Sequence, residues 1–396
     1  MQNNKPVLTM RKAILIAAAL LALAACKKSI AFEDVLYFTG TESTAETSLY
    51  VDGPTDASFT VTSSSAVGKD VKVTVAIDPQ GVDRYNTING TSFRMLPAGS
   101  YLLEDAQVTI RAKSNVSTPF KLAVVSQDDF EDGVTYCVPF MIQSTDGEAQ
   151  PLRGGEYMYA IVKAVIHTTG VDFNQRGYLT VPSMLYKSSL SDMGACTMEI
   201  RVKPEGWQSR NPYISTLIGV EENFLLRFGD ISCDPNQLQL AGRGVSITSQ
   251  THFDLNTWYH IAIVDDGTTA TLYVDGILDT QVSSAGKSAI NLAWDWAGGF
   301  HIGYSADGRQ LDGVLSEARI WNRALSPVEL VNNQCIISDP AKAAAEDALV
   351  AYWKLDEAVQ EGSSTVFKDL SGNGYDAVLT SSYSIVEGVN CPILAK

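Results

Sequence analysis

The 396-residue sequence predicts an all-β protein built from two successive β-sandwiches, and three observations carry that expectation. Val71–Ile77 alternates apolar and polar residues, as a half-buried strand does, and residues 108–110, 120–125, 136–142 and 157–166 repeat the theme between turn residues. A second series follows at 196–202, 224–228, 258–264, 271–274, 300–304 and 318–321. Helical signals are few and short.

The elements follow in order. Residues 32–166 form the first predicted sandwich, interrupted by a short connector helix over 82–89. At His167-Thr168-Thr169-Gly170 the chain is expected to leave its last long strand, so the second sandwich is assigned 167–396. Asp265-Asp266-Gly267 and Asp275-Gly276 are hairpin signals, because Asp and Gly tolerate positive φ, and they make 258–279 a meander. Ser326-Pro327-Val328-Glu329 spells a capping box, with a Pro at the first helical position. The alanine-rich 341–347 extends a second helical turn or links to the last strands. Trp258, Trp321 and Trp353 sit inside strand patterns and are expected in the core.

The N-terminus reads as a targeting segment. Arg11 and Lys12 precede an unbroken apolar run over 13–25. Thirteen helical residues span roughly 20 Å, short of the bilayer core of about 30 Å. The run therefore reads as a cleavable signal peptide, residues 1–25, and Met10 directly before the basic pair is an alternative start. Leu23-Ala24-Ala25-Cys26 resembles the lipobox of bacterial lipoproteins, which makes Cys26 the expected lipidated residue and 26–31 a tether. The plain alternative is an ordinary signal peptide with an incidental Cys. No later stretch approaches transmembrane length, so the rest of the chain is expected to be held by lipid alone.

The formal charge is −16, and Lys5, Arg11 and Lys12 are the only charges before Cys26, so the chain beyond it carries −19. Such a surface argues against nucleic acid and anionic lipid as partners. Five cysteines follow Cys26: Cys137, Cys196, Cys233, Cys335 and Cys391. The number is odd and no CxxC occurs, so a zinc site is disfavoured and one disulfide in the C-terminal half stays open without a choice of pair.

Two resemblances add to this. Residues 82–86 and 93–101, with Val134 to Phe140, resemble a domain family of unknown function (the family 1735 type) that stands N-terminally in surface lipoproteins of glycan-degrading bacteria. It implies an immunoglobulin-like sandwich over 32–166, although 112–115 departs from the family pattern. The second half is similar to laminin-G-like, concanavalin A-like jelly rolls through 173–181, 196–204, Trp258-Tyr259-His260-Ile261-Ala262, Leu272-Tyr273-Val274-Asp275-Gly276 and 312–326. Tyr352-Trp353-Lys354-Leu355-Asp356-Glu357 and Asp369-Leu370-Ser371-Gly372-Asn373-Gly374 complete the set. In many relatives those last two pieces open the domain. Here they close it, so the final strands are expected to return to the same sandwich.

Candidate chemistry is read against that resemblance. Glycosidases of such folds use paired carboxylates, typically Glu-x-Asp-x-x-Glu on one strand, and no such run occurs. There is no Gly-x-Ser-x-Gly elbow or His-Glu-x-x-His helix, and His260, one of four histidines, falls in a core pattern. An enzyme is disfavoured, with a glycosidase of dispersed acids kept open. A structural Ca²⁺, implied by some laminin-G-like domains, has Asp369, Ser371 and Asn373 as candidate ligands; the alternative is that they simply build a turn. For sugar stacking the candidates are Trp207, Trp294, Asp295, Trp296, Tyr304, Asp307 and Arg309. Trp294 and Trp296, two apart in an extended segment, would point the same way, unless one or both fill the core.

The sequence thus points to an outer-membrane lipoprotein, facing the cell surface or alternatively the periplasm, that binds a glycan or glycoconjugate without cleaving it. Its partners would be other outer-membrane glycan-uptake proteins. A protein-binding adhesion or assembly module is the alternative.

Overall fold

In the computed structural model, residues 33–306 and 308–392 are described. The signal segment, Cys26, the tether and Asp307 lie outside them. No helix among the described residues is long and apolar enough to cross a membrane.

The predicted alternation turns into strands because one face of each meets a core. Val71–Ile77 buries Val71, Val73 and Val75 and joins a five-stranded sheet ordered Glu46–Val51, Tyr157–Ala164, Thr135–Thr145, Val71–Ile77, Gln107–Ile110. Two three-stranded sheets complete the first domain. Between the sheets Phe38, Phe59, Phe120 and Phe140 pack with ring centroids 5.1–5.9 Å apart, contacts worth about 0.5–1.5 kcal/mol each beyond burial. On the outer face of the five-stranded sheet lies helix α1 (Gly81–Asn89), seating Val82 and Tyr85 against Cys137, Tyr159 and Ile161.

The domain boundary differs from the sequence expectation. His167 to Gly170 do not leave a strand; they lie inside Ile166–Asp172, which already belongs to the second domain's sheet. Only Val165 separates it from Tyr157–Ala164. No turn residue stands between Tyr157–Ala164 and Ile166–Asp172, so the pattern does not mark where the first strand ends and the second begins.

The second domain is a jelly roll of two large sheets. One is ordered Ile277–Ser283, Thr269–Val274, Tyr259–Asp265, Cys196–Gly206, Asp312–Trp321, Ile166–Asp172, Ser384–Cys391, with Leu349–Trp353 also pairing onto Asp312–Trp321. The facing nine-stranded sheet carries Phe224–Asp230, Ser215–Val220, His301–Ile302, Leu179–Thr180 and Ala377–Leu379 among its members. The final strands do return to the sandwich: Ala377–Leu379 pairs Leu179–Thr180, and Ser384–Cys391 pairs Ile166–Asp172. The meander holds too. Asp275 (φ 51°) and Gly276 (φ 79°) make a two-residue turn between the paired Val274 and Ile277, a conformation that glycine adopts freely.

Met198, Ile200 and Val202 enter the core between the sheets, so Glu199 and Arg201 point outward. That outer face is nevertheless buried, because a cap of two helices covers it: α2 (Pro327–Asn332) and α3 (Pro340–Glu346). The expected capping box is present, with Ser326 Oγ accepting from the Glu329 N–H and Glu329 accepting from the Ser326 N–H at 2.8 Å. Such a cap is worth about 1 kcal/mol. A disulfide joins Cys335, just after α2, to Cys391 in the last strand, while Cys137 and Cys196 are buried thiols and Cys233 is half-buried.

Under the cap lies an ion network. Glu199 accepts from Trp321 Nε1 at 2.7 Å and from the His260 Nε2–H at 3.0 Å, and Arg319 stands 3.7 Å away. Arg319 pairs with Glu317 at 3.0 Å, and the Tyr352 hydroxyl donates to Glu317 at 2.5 Å. Burial opposes the Glu199 charge, but His260 and Arg319 hold its carboxyl below the usual range. Of the tryptophans assigned to the core, Trp321 and Trp353 are there. Trp258 is not: it precedes its strand, half-buried, with the Arg201 guanidinium 5.3 Å over its ring.

Candidate functional site: an aromatic rim beside the nine-stranded sheet

The loop carrying Trp294 and Trp296 is anchored before and after by buried apolar residues, Leu292 and Ala293 on one side and Phe300 on the other. Phe300 in turn stacks on Trp353 at 5.9 Å. Between these anchors the chain is not extended. Trp296 begins a single 3₁₀ turn, Trp296–Gly298, and Ala297 sits at φ 55°. The period-two argument for the two rings therefore fails, because a turn rotates successive side chains differently from a strand.

Trp294 packs against the core, whereas Trp296 is 53% exposed; their centroids are 6.1 Å apart at 33°. A third ring joins them from a different part of the chain. Tyr186 is 76% exposed at φ 59°, its N–H donates to the Ala293 carbonyl at 2.9 Å, and its hydroxyl donates to Asp295 Oδ2 at 2.7 Å. That hydrogen bond to Asp295 pushes the Tyr186 hydroxyl above its ordinary pKa. Two exposed aromatic residues and a carboxylate thus share one rim. Left-handed backbone at non-glycine residues costs about 1–3 kcal/mol. Here it occurs at Tyr186 and next to Trp296. Nothing in the sequence around Tyr186 signals this partnership, since the two segments meet only in three dimensions.

Tyr304 lies further along the same sheet, beyond the short strand His301–Ile302. Ile302 points into the core, so His301 faces away from it, opposite Gly219 and Thr180 on the neighbouring strands. Tyr304 stacks on Tyr178 at 4.1 Å and meets the His301 ring edge-on at 5.4 Å. His301 is 3% exposed, and burial pushes its pKa down to about 4. The neutral ring is therefore the form present at pH 7.

Arg309 belongs to the ion pairs of this sheet rather than to the rim. It donates to Glu221 at 2.7 Å, and Glu221 also lies 3.7 Å from Arg227, which bonds Gln239 and Asp230. Trp207 is also removed from the candidate surface. It is half-buried, edge-on to Phe228 at 5.1 Å, and packs on the core. Of the predicted set, the structure brings together Trp294, Asp295 and Trp296, adds Tyr186, and leaves Trp207 and Arg309 in packing and ion-pair roles.

The Asp369 loop is occupied by its own turn. Asp369 accepts from the Tyr352, Ser371 and Tyr375 N–H groups at 3.0 Å and from Ser371 Oγ at 2.9 Å. Asn373 turns its amide donors, not an oxygen, toward the Leu349 and Val350 carbonyls at 3.1 and 3.0 Å. The three residues clamp the last strands together. Among the described residues no group of three or more His, Cys, Asp or Glu is arranged to hold a metal. Glu199 and Glu317 are sealed beneath the cap, out of reach of any substrate.

This architecture defines a class, a two-domain all-β protein with a C-terminal jelly roll, and the comparisons place its parts. Residues 173–331 match the model of the concanavalin A-like lectin/glucanases superfamily, and residues 32–149 match the model of an N-terminal domain family. No curated protein matches the chain. A candidate carbohydrate binding protein from Bacteroides ovatus ATCC 8483 is similar in fold, with a TM-score of 0.54 and 22% identity over 89% of this chain and 97% of that one. Likeness is weaker to a two-domain protein of unknown function from Bacteroides fragilis NCTC 9343, with a TM-score of 0.31, 11% identity and coverage of 72% and 94%. It is also weaker to domain 4 of AbnA, an extracellular arabinanase from Geobacillus stearothermophilus, in complex with arabinotriose. There the TM-score is 0.29, with 18% identity over 36% of this chain and 66% of that one.

Proposed function

We propose that this protein binds a glycan without cleaving it, and that the rim of Trp296, Tyr186, Trp294 and Asp295 is where it does so. The carrying observation is an exposed Trp296 and Tyr186 flanking a carboxylate, held in place by buried anchors. Aromatic faces take the C–H face of a pyranose, and Asp295 accepts from its hydroxyls. A binding role agrees with the carboxylates of the jelly roll: Glu199 and Glu317 are sealed under the cap, and Glu221 is held by Arg309 and Arg227.

A tryptophan side chain presents up to about 250 Å². With Trp296 53% exposed, roughly 130 Å² is open to a ligand. Covering about half of it at ~25 cal/mol/Å² gives about 1.5 kcal/mol, close to tenfold in affinity. Calorimetry of soluble polysaccharides with the chain from Lys27 onward is therefore expected to show saturable binding without product release, weakened about tenfold in Trp296→Ala. Binding unchanged by that substitution would remove the rim from the mechanism.

The anchoring belongs to the same proposal. The N-terminal domain would act as a spacer lifting the jelly roll from an outer membrane to which Cys26 is lipidated, where it would pass glycan to neighbouring uptake proteins. Incorporation of labelled fatty acid, abolished by Cys26→Ala, tests the anchor, and protease accessibility on whole cells tests the leaflet.

One observation favours a second reading. Ile277 and Leu278, at the tip of the Asp275-Gly276 hairpin, are 74% and 51% exposed, a small apolar edge suited to a protein partner. Absence of binding to every glycan tested would bring that reading to the front.

A further inference from the structure

Between the two domains lies a cleft of about 360 Å³, and one lysine in its wall has no counter-ion among the described residues. Lys163 belongs to strand Tyr157–Ala164, opposite Tyr50 on one neighbour and Thr135 on the other. Its neighbours Val162 and Ala160 enter the first domain's core, so Lys163 and Ile161 face out, toward α2 of the second domain. Among the described residues no carboxylate stands within ion-pair distance of its ammonium, and burial alone pulls its pKa below the ordinary lysine value. An ammonium that loses water without gaining an anion is unfavourable unless something supplies the charge.

The rest of the wall describes that something. Tyr50, 39% exposed, and Phe93, stacked on Tyr85 at 5.6 Å, give apolar faces. Ser48 and Asn332 give hydroxyl and amide groups, one from each domain. Glu46, hydrogen-bonded by the Tyr85 hydroxyl, adds an acceptor. One ammonium with one carboxylate nearby suits a monoanion better than a dianion, and the volume lies within the range of small-ligand sites.

We propose that this interdomain cleft is a second binding site, for a monosaccharide-sized ring bearing a carboxylate, such as a uronic acid, with the carboxylate on Lys163. The net negative charge of the chain does not forbid it, since charges beyond about 8 Å are screened at physiological salt. The site is distinct from the aromatic rim and does not depend on it.

The test is calorimetry with three probes, glucuronate, glucose and inorganic phosphate, on the chain from Lys27 onward at pH 7. Glucuronate is expected to bind at least tenfold more tightly than glucose or phosphate. Lys163→Met is expected to lose that binding while keeping or raising Tm, because an apolar side chain of similar length replaces an unpaired charge. Val331→Trp, which fills the cleft from α2 and leaves Lys163 in place, is expected to lose it too. Trp296→Ala is expected to keep it, which separates this site from the rim. Equal affinity for glucose and glucuronate, tighter binding of phosphate, no saturable glucuronate binding, or full binding in Lys163→Met would each overturn the proposal.

Discussion

Lowering the pH from 7 to 5 is expected to weaken the protein by about 2 kcal/mol through His301 alone. The ring is 3% exposed, and burial brings its pKa to about 4, against about 6.5 in an unfolded chain. The unfolded state therefore binds the proton first. A depressed histidine contributes its stability in full above pH 6.5, and that stability is lost progressively as the pH falls toward 4. The whole window is worth about 3 kcal/mol at 1.36 kcal/mol per pH unit, of which about 2 is spent by pH 5. Urea unfolding of wild type and His301→Gln at both pH values isolates the effect, because every other titrating group is common to the two proteins. The wild type is expected to lose about 2 kcal/mol more than the variant over that interval. Equal losses would refute the reasoning, and would mean that the ring between Tyr178 and Tyr304 reaches water in the folded state.

Two further outcomes test the packing on either side of the site. Asp369→Ala is expected to cost about 2–4 kcal/mol, since it strands buried N–H donors at Tyr352 and Ser371; the wild-type Tm is expected to be the same in Ca²⁺ and in EDTA, and a rise with Ca²⁺ would overturn the assignment of this loop to a turn. Glu199→Gln is expected to destabilise by about 3–5 kcal/mol in urea, because Arg319 loses a buried partner while His260 and Trp321 lose a charged acceptor; a loss below about 1 kcal/mol would show that water enters beneath the cap.

Much of this architecture could be read from local pattern. Val71–Ile77, the Asp275-Gly276 hairpin and the Ser326 capping box each depend on a few consecutive residues, and each has its expected form. Local signals were misleading where one strand follows another across a single residue, at Val165 just before His167 to Gly170, and where a turn replaced an expected extension, at Trp296. The Asp369 loop shows a third kind of difficulty. Asp-x-Ser-Gly-Asn-Gly is equally the composition of a cation loop and of a hydrogen-bonded turn, and it does not show that Asp369 meets the Tyr352 and Tyr375 N–H groups or that Asn373 meets the Val350 carbonyl.

The sequence by itself determined that the chain is all-β, that it holds two sandwiches, that the last strands close the second of them, and where its capped helix begins. These follow from alternation, turn chemistry and capping, which are properties of neighbouring residues. Tertiary structure alone decided that Cys335 meets Cys391, that Glu199 is sealed under α2 and α3, that Tyr186 joins the Trp296 loop through Asp295, and that Lys163 faces a cleft with no carboxylate within ion-pair distance among the described residues. Each of these depends on segments far apart in the chain and brought together by sheet order and register. Burial and partnership are relations between distant residues, so no window of sequence contains them.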